Sequence, residues 1–398
     1  MAILTQSALT PAEVETLGYV SLQNYLKNKP IDQVAQERPL LKALMAKKKT
    51  WGGGKENIVE QIRTGYDNNF EWFGDTSLNT SDTVGYNTRD TIRQAYYPWN
   101  SAHDGFQFSE DYLIGNGILI GDSQSPRNSS AAGLVQLTNV FNESMDVLRL
   151  GFEKILDQSL HLDGTIGVGG GTSTANKAIN GLDFLVPFDS RSGTVGGINR
   201  ATAGNEYWRN NFDVGGGLNT FVSTTPTGYA GTALLAPMHT MWRACQKNGG
   251  SPNFILAGTD FIKSYEIAAD AKESRYAVQP GTAQAPWNMD PSLEIKDGGT
   301  FTGRFIQGVP SIWDPVFEDI DAISGSTPSN GTSVLWSKRC YMLNLNHLSL
   351  RPIEGNDMIA RKPPRDHTSY NYYWGRTGRG SLTANRMNCH GCVMATGA

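Results

Sequence analysis

Hydrophobic residues recur at intervals of three and four through Leu134, Leu137, Phe141, Met145, Leu148, Phe152 and Ile155. That spacing places them on one face of a helix predicted from about Ser129 to Asp163. At 1.5 Å per residue such a helix is about 50 Å long, enough to act as a spine. A second amphipathic stretch, Tyr229 to Lys247, sets Leu234, Leu235, Met238, Met241 and Trp242 on one side and stops at Asn248-Gly249-Gly250. Pro237 near its middle predicts a kink. Phe254-Ile255-Leu256-Ala257 reads as a short buried strand feeding a helix from Phe261 to Ala271, with further strands over Phe301 to Val309 and Val334 to Leu350.

The first fifty residues read as a helical arm. Thr10-Pro11-Ala12-Glu13 is a capping box, and a second helical stretch from Asp32 to Lys49 is broken by Pro39 into two short pieces. Beyond it, Asn57 to Arg63 and Thr91 to Tyr97 carry the alternation and β-branched content of paired strands, and read as the legs of one long hairpin. The connection from Gly65 to Asp90 is far longer than a tight turn and holds Phe70, Trp72 and Phe73 among polar residues. Aromatic side chains on such a loop either fold back on their own core or meet a partner surface.

Composition narrows the class. Of 398 residues only 18% are charged and 44 are glycine, which implies many turns and large uncharged surfaces. Gly164 to Gly228 holds much of that glycine, and the mixture is α+β without a βαβ repeat. The formal charge of -4 argues against a strongly basic nucleic-acid binder, and no apolar run has the length of a membrane span. Met1 to Thr10 lacks the pattern of a secretory signal, so the chain is expected in the cytosol that made it. Four cysteines, Cys245, Cys340, Cys389 and Cys392, are too few for a disulfide framework and read as reduced thiols.

Candidate chemistry is sparse. Cys389 and Cys392 have a metal-chelating spacing but lack the second pair of a structural zinc site, leaving buried thiols as the plainer reading. Gly52-Gly53-Gly54-Lys55 lacks the earlier glycine and following hydroxyl of a phosphate loop, and Gly115-Asn116-Gly117 fits no dinucleotide motif. No cofactor and no catalytic centre are predicted. The cluster Tyr370, Tyr372, Tyr373 and Trp374 could stack on bases or sugars, or pack at an interface.

Taken in order, arm, long two-stranded loop, spine helix, glycine-rich domain and return strands resemble the major capsid protein of tailed double-stranded DNA bacteriophages. That fold is shared with encapsulins and the herpesvirus capsid floor. Ser251 to Leu256 with Asp260 and Phe261 to Tyr265, Phe305 to Pro310, and Gly196 to Asn210 are similar to segments of such proteins. The resemblance implies an N-terminal arm over 1–54, an extended β-hairpin loop over 55–113, and a peripheral domain over 114–180 with its spine helix at 129–163. It further implies an axial domain over 181–330 with interleaved peripheral segments, and return strands with a C-terminal segment over 331–398.

Its implied function is structural, not enzymatic: self-assembly into pentamers and hexamers of an icosahedral head around packaged double-stranded DNA, in a virion built in the host bacterial cytoplasm. Separate scaffold, portal and cement proteins are implied partners, and no membrane. No lysine lies between Lys55 and Lys154, so a covalent lattice formed from a loop lysine is not expected. Intersubunit contact candidates are Phe70, Trp72, Phe73, Tyr96, Tyr97 and Trp99. Residues 1–50 carry +3 and 351–398 carry +4, so both ends suit an inner face that touches DNA phosphates without reading bases. An encapsulin-like shell, and more remotely a metal- or sugar-binding enzyme, are the alternatives.

Overall fold

The computed structural model describes residues 36–66, 70–72, 85–86, 88, 91–115, 131–165, 177–223, 225–270, 301–323, 334–363 and 371–396, with side chains at all of these except 113–115, 131–140, 270 and 301–304. The capping box at Thr10 and the aromatic residues Phe73 and Tyr370 lie outside them.

Two sheets carry the architecture. The larger has six strands in the order Asn211–Asp213, Gly391–Met394, Arg339–Leu343, Phe254–Ala257, Val309–Trp313 and Phe301–Ile306. Its centre is buried on both faces because apolar side chains occupy every position rather than every second one. Phe254, Leu256, Tyr341, Leu343, Cys392 and Met394 face one core, while Ile255, Ala257, Cys340, Met342, Val393 and Ala395 face another. The second core is closed by helices Leu235–Lys247 and Thr259–Asp270 through Met238, Met241, Trp242 and Phe261. Pro237 falls in the first turn of its helix, after the short 3-10 turn Gly231–Leu234. A proline there lacks only an N–H that has no intrahelical partner, so the expected mid-helix kink gives way to a helix start. Pro39 does likewise, opening helix Pro39–Ala46. The segment expected as one strand from Phe301 to Val309 is a turn between two: Gln307 and Gly308 both take positive φ, 52° and 85°, and reverse the chain.

The smaller sheet is built on the long strand Asn371–Ala384. Asn100–Ser109 pairs along one edge of it, from Asn371↔Ser109 to Gly380↔Asn100, while Leu348–Pro352 and Ile359–Arg361 pair along the other. The hairpin ladder therefore stops at Pro98, and the next strand belongs to a sheet closed by the C-terminal part of the chain.

The long helix, Ala131–His161, lies against this sheet. Phe141 meets the Trp374 ring edge-on at 5.0 Å, and Trp374 stacks on Phe106 at 6.0 Å and on Tyr372 at 6.1 Å. The aromatic cluster around Trp374 thus joins helix to sheet within one chain. Further along, a Cβ on Gly378 would sit 3.2 Å from the Phe152 ring, so glycine lets helix and strand approach closely. The helix ends at the first core, where Leu160 and Leu162 join Leu182, Leu185, Phe188 and Phe317.

Candidate assembly surface

Strands Asn57–Arg63 and Ile92–Pro98 form an antiparallel ribbon in the register Ile58↔Tyr97, Glu60↔Ala95 and Ile62↔Arg93. Alternation turns Ile58, Glu60, Ile62, Ala95 and Tyr97 inward at the root. Glu60 is buried because it is answered: its Oε1 accepts from Arg351 Nη2 at 2.5 Å and from the Thr383 hydroxyl at 3.2 Å. Tyr97 was expected at an intersubunit contact, but it is 1% exposed and its hydroxyl donates to the Ala384 carbonyl at 2.7 Å. It is a core residue of its own chain, and burial pushes its hydroxyl pKa up.

The outward positions behave differently. Tyr96 and Trp99 are partly exposed, and towards the far end of the ribbon Tyr66, Phe70, Trp72 and Tyr86 stand in solvent, with Trp72 92% exposed. Phe70 and Trp72 pack only edge-to-face on each other, 5.2 Å between centroids. Exposed aromatic surface of this extent is a common feature of interaction sites.

What holds the root is the stretch from Gly196 to Asn210. A short hairpin, Thr194–Val195 with Ile198–Asn199, lies across the outer strand, and Tyr96 N–H donates to Gly196 O at 2.9 Å. Gly196 has φ +62°, and a Cβ there would come within 2.7 Å of Ala95 Cβ. Trp208 Nε1 donates to Val195 O at 2.9 Å, and the buried Arg200 donates to Leu185 O at 2.6 Å and Trp208 O at 3.1 Å. Burial lowers the Arg200 pKa to about 10.

Where the ribbon gives way to its loop, at Gln61 to Tyr66, lies a groove of ≈ 1160 Å³. Its walls carry Arg63, Arg191, Arg209 and Arg386 against one acid, Glu206. Arg191 forms a forked pair with Asp189, at 2.9 and 3.0 Å. Arg209 and Arg386 instead donate to the main-chain carbonyls of Arg200 and Gly249. In the same wall the Tyr207 hydroxyl and the amide oxygens of Asn210 and Asn388 are shielded from solvent without a hydrogen-bond partner among the described residues.

Deeper in the chain, Asp157, His161 and Asp314 are fully buried together. His161 Nε2 bonds Asp314 Oδ2 at 2.8 Å and Nδ1 meets the Asp157 carbonyl at 2.8 Å. Burial pushes Asp157 up to about 7, against the pull of His161. Burial alone would lower the His161 pKa, but Asp314 and Asp157 outweigh it and hold it up at about 9. Arg339, buried in the first core, donates to Asp183 Oδ1 at 3.0 Å and covers the Trp336 ring at 3.8 Å.

The two thiols lie in different surroundings. Cys392 faces the first core and its Sγ reaches Pro187 O at 3.5 Å, while Cys389 lies under Gly250 beside helix Leu235–Lys247. Burial raises the Cys389 pKa to about 12 and that of Cys392 as well, opposing the thiolates that a metal needs. Among the described residues no group of three or more His, Cys, Asp or Glu is placed to hold a metal, and no helix is long and apolar enough to cross a membrane.

Comparison by structure identifies the fold. The chain aligns with one from the cyanophage A-1(L) capsid asymmetric unit, covering 93% of this chain and 97% of that one, at 16% identity and a TM-score of 0.54. The fold is that of a phage capsid chain. Looser alignments are with the capsid of Myoviridae phage XM1, at 12% identity and TM-score 0.45 over 94% and 98% of the two chains, and with a chain of Mycobacterium phage Ogopogo, at 9% and 0.46 over the same shares. No protein-family model matches the sequence, and a search of curated proteins finds no match. Within the capsid fold, sequence reasoning located the ribbon and its aromatics but missed the groove, whose arginines come from four separate stretches of chain.

Proposed function

We propose that this chain is the major capsid protein of a tailed bacteriophage, a structural subunit that assembles with copies of itself into the icosahedral head. The observation that carries this reading is the near end-to-end alignment with a chain of a solved capsid asymmetric unit. The aromatic ribbon supports it: a lone subunit gains nothing by holding Phe70 and Trp72 in water, whereas a shell buries them once per contact.

In this reading residues 55–113 reach across a neighbour, 1–54 form an arm, 129–163 the spine of a peripheral domain spanning 114–180, 181–330 the axial domain, and 331–398 the return. Phe70, Trp72, Phe73, Tyr96 and Trp99 are the contact residues proposed. Pentamers and hexamers enclose double-stranded DNA, which basic side chains such as Arg361, Lys362 and Arg379 meet through its phosphates. Scaffold, portal and cement functions fall to separate proteins, and the subunit performs no chemistry of its own.

The test is particle size of the purified chain, by light scattering with negative-stain imaging, with and without co-expressed neighbouring genes. Closed shells or rings of five or six are expected. A stable monomer or dimer under all these conditions overturns the reading.

A further inference from the structure

A second cavity, of ≈ 810 Å³, lies between helix Leu235–Lys247, the turn at Gln307 and Gly308, and the segments Gly249 to Phe254 and Asn344 to His347. No aspartate or glutamate is among the described residues that line it, and its polar side chains are fixed so as to present donors. Asn253 Oδ1 accepts the Leu345 N–H at 2.9 Å and Asn344 Oδ1 accepts the Asn346 N–H at 3.0 Å, which leaves the NH2 end of each amide over. Neither NH2 is hydrogen-bonded and neither is sealed from solvent, so both are open in the cavity that these residues line. Gln307 Nε2 lies 2.6 Å from His239 Nδ1; an amide nitrogen only donates, so the imidazole accepts there and carries its proton on Nε2. Arg243, exposed one helical turn after His239, has neither an ion pair nor a hydrogen bond among the described residues.

The charge around the cavity has one sign. His347 in its wall is held below the usual histidine range by burial first, with Arg386 and Lys49 adding to the effect against the bond to Asn385. Trp242, Phe254 and Pro310 add flat apolar surface to the same lining, and the volume is in the range of small-molecule sites, well beyond what a bare ion fills. We propose that this cavity binds a phosphate ester with a flat apolar body, of the size and kind of a nucleotide, through Arg243, the His239 Nε2–H and the NH2 groups of Asn253 and Asn344. The guanidinium fork matches two phosphate oxygens, and the neutral donors complete their hydrogen bonds. The site goes beyond the capsid reading and does not depend on it, because every donor belongs to one chain and is in place before any assembly.

Titration calorimetry on the full-length chain, with inorganic phosphate, adenosine monophosphate and a DNA oligonucleotide without terminal phosphates in turn, tests this. Adenosine monophosphate is expected to bind about tenfold more tightly than phosphate. Arg243→Gln is expected to weaken both about tenfold, and Asn253→Asp, which keeps the bond to Leu345 but puts a carboxylate oxygen where the NH2 stood, to weaken them further. Thermal melts confirm folding, and Arg243 is exposed, so its variant tests the site even should Asn253→Asp not fold. Competition by the oligonucleotide would identify a nucleic-acid strand as the source of the phosphate, and its absence a free ester. No binding of either small ligand to the folded wild-type chain at about 10 mM, adenosine monophosphate no tighter than phosphate, or binding that Arg243→Gln leaves unchanged overturns the inference, and none of these outcomes touches the capsid reading.

Discussion

The main-chain N–H of Leu41 donates to Oδ1 of Asp157 at 3.2 Å, so helix Pro39–Ala46 is capped by a side-chain oxygen from the long helix, 116 residues further on. The helix has no side-chain cap of its own, and Arg38 stands at its N-cap position. Asp157 therefore joins three elements, since His161, one turn later, binds Asp314 at the end of strand Val309–Trp313.

That buried cluster should make stability fall as pH rises. Asp157 is held protonated to about 7 when folded and ionises near 3.8 when unfolded, so the unfolded state sheds its proton first and stability drops between those values. His161 keeps its proton to about 9 when folded, against 6.5, so its stabilisation is complete below 6.5 and is lost as pH passes 9. Thermal melts of unassembled subunits from pH 4 to 9 are expected to shift steadily downward. Asp157→Asn should flatten the slope below pH 7; an unchanged slope would show that another group carries it.

Tyr97 and Trp72 should separate folding from assembly. Tyr97→Phe removes the buried bond to Ala384 O and is expected to lower subunit stability by about 1 kcal/mol while shells still form. Trp72→Ser combined with Phe73→Ser should leave the subunit melt almost unmoved, because Trp72 is 92% exposed, and should impair assembly. Melting curves and particle counts on both variants decide the matter. Normal assembly of the double serine variant would remove these aromatics from the interface.

Gly196→Ala should loosen the ribbon root. The added methyl meets Ala95 Cβ at 2.7 Å and the backbone stands at φ +62°, so a cost of about 1–3 kcal/mol is expected. Adding Ala95→Gly relieves the contact but not the backbone, and should recover only part of the loss in denaturant titrations. Full recovery would place the whole effect in the contact.

The four thiols should be silent in the native subunit. All are buried, and burial pushes their pKa values up, Cys245 and Cys389 to about 12. Ellman's reagent at pH 8 should label none before unfolding and four afterwards. Rapid labelling of Cys389 in folded protein would contradict its placement.

Local patterns in the sequence were good guides wherever one segment decides its own conformation. The three-and-four spacing through Phe141, Leu148 and Phe152 is that of the helix found, and the two legs of the ribbon pair with Ile58 opposite Tyr97. What the chain does over long separations left no local mark. Nothing in Asn100 to Ser109 says that its partner strand begins at Asn371, and Tyr97 looks like its neighbour Tyr96 until the ladder turns one inward and the other out. Cys389 and Cys392 share a chelating interval, yet in the folded chain Cys392 faces the first core while Cys389 lies under Gly250. The same holds for the groove, because its charge is assembled from arginines that only the tertiary fold brings together.

Strand Gly391–Met394 lies inside the larger sheet, antiparallel to Arg339–Leu343 on one side and parallel to Asn211–Asp213 on the other. Cys392 and Met394 enter one core and Val393 the other, so this single strand seals both. Ladders of such sequence separation close slowly, and the strand acts as a keystone whose arrival locks two halves of the molecule together.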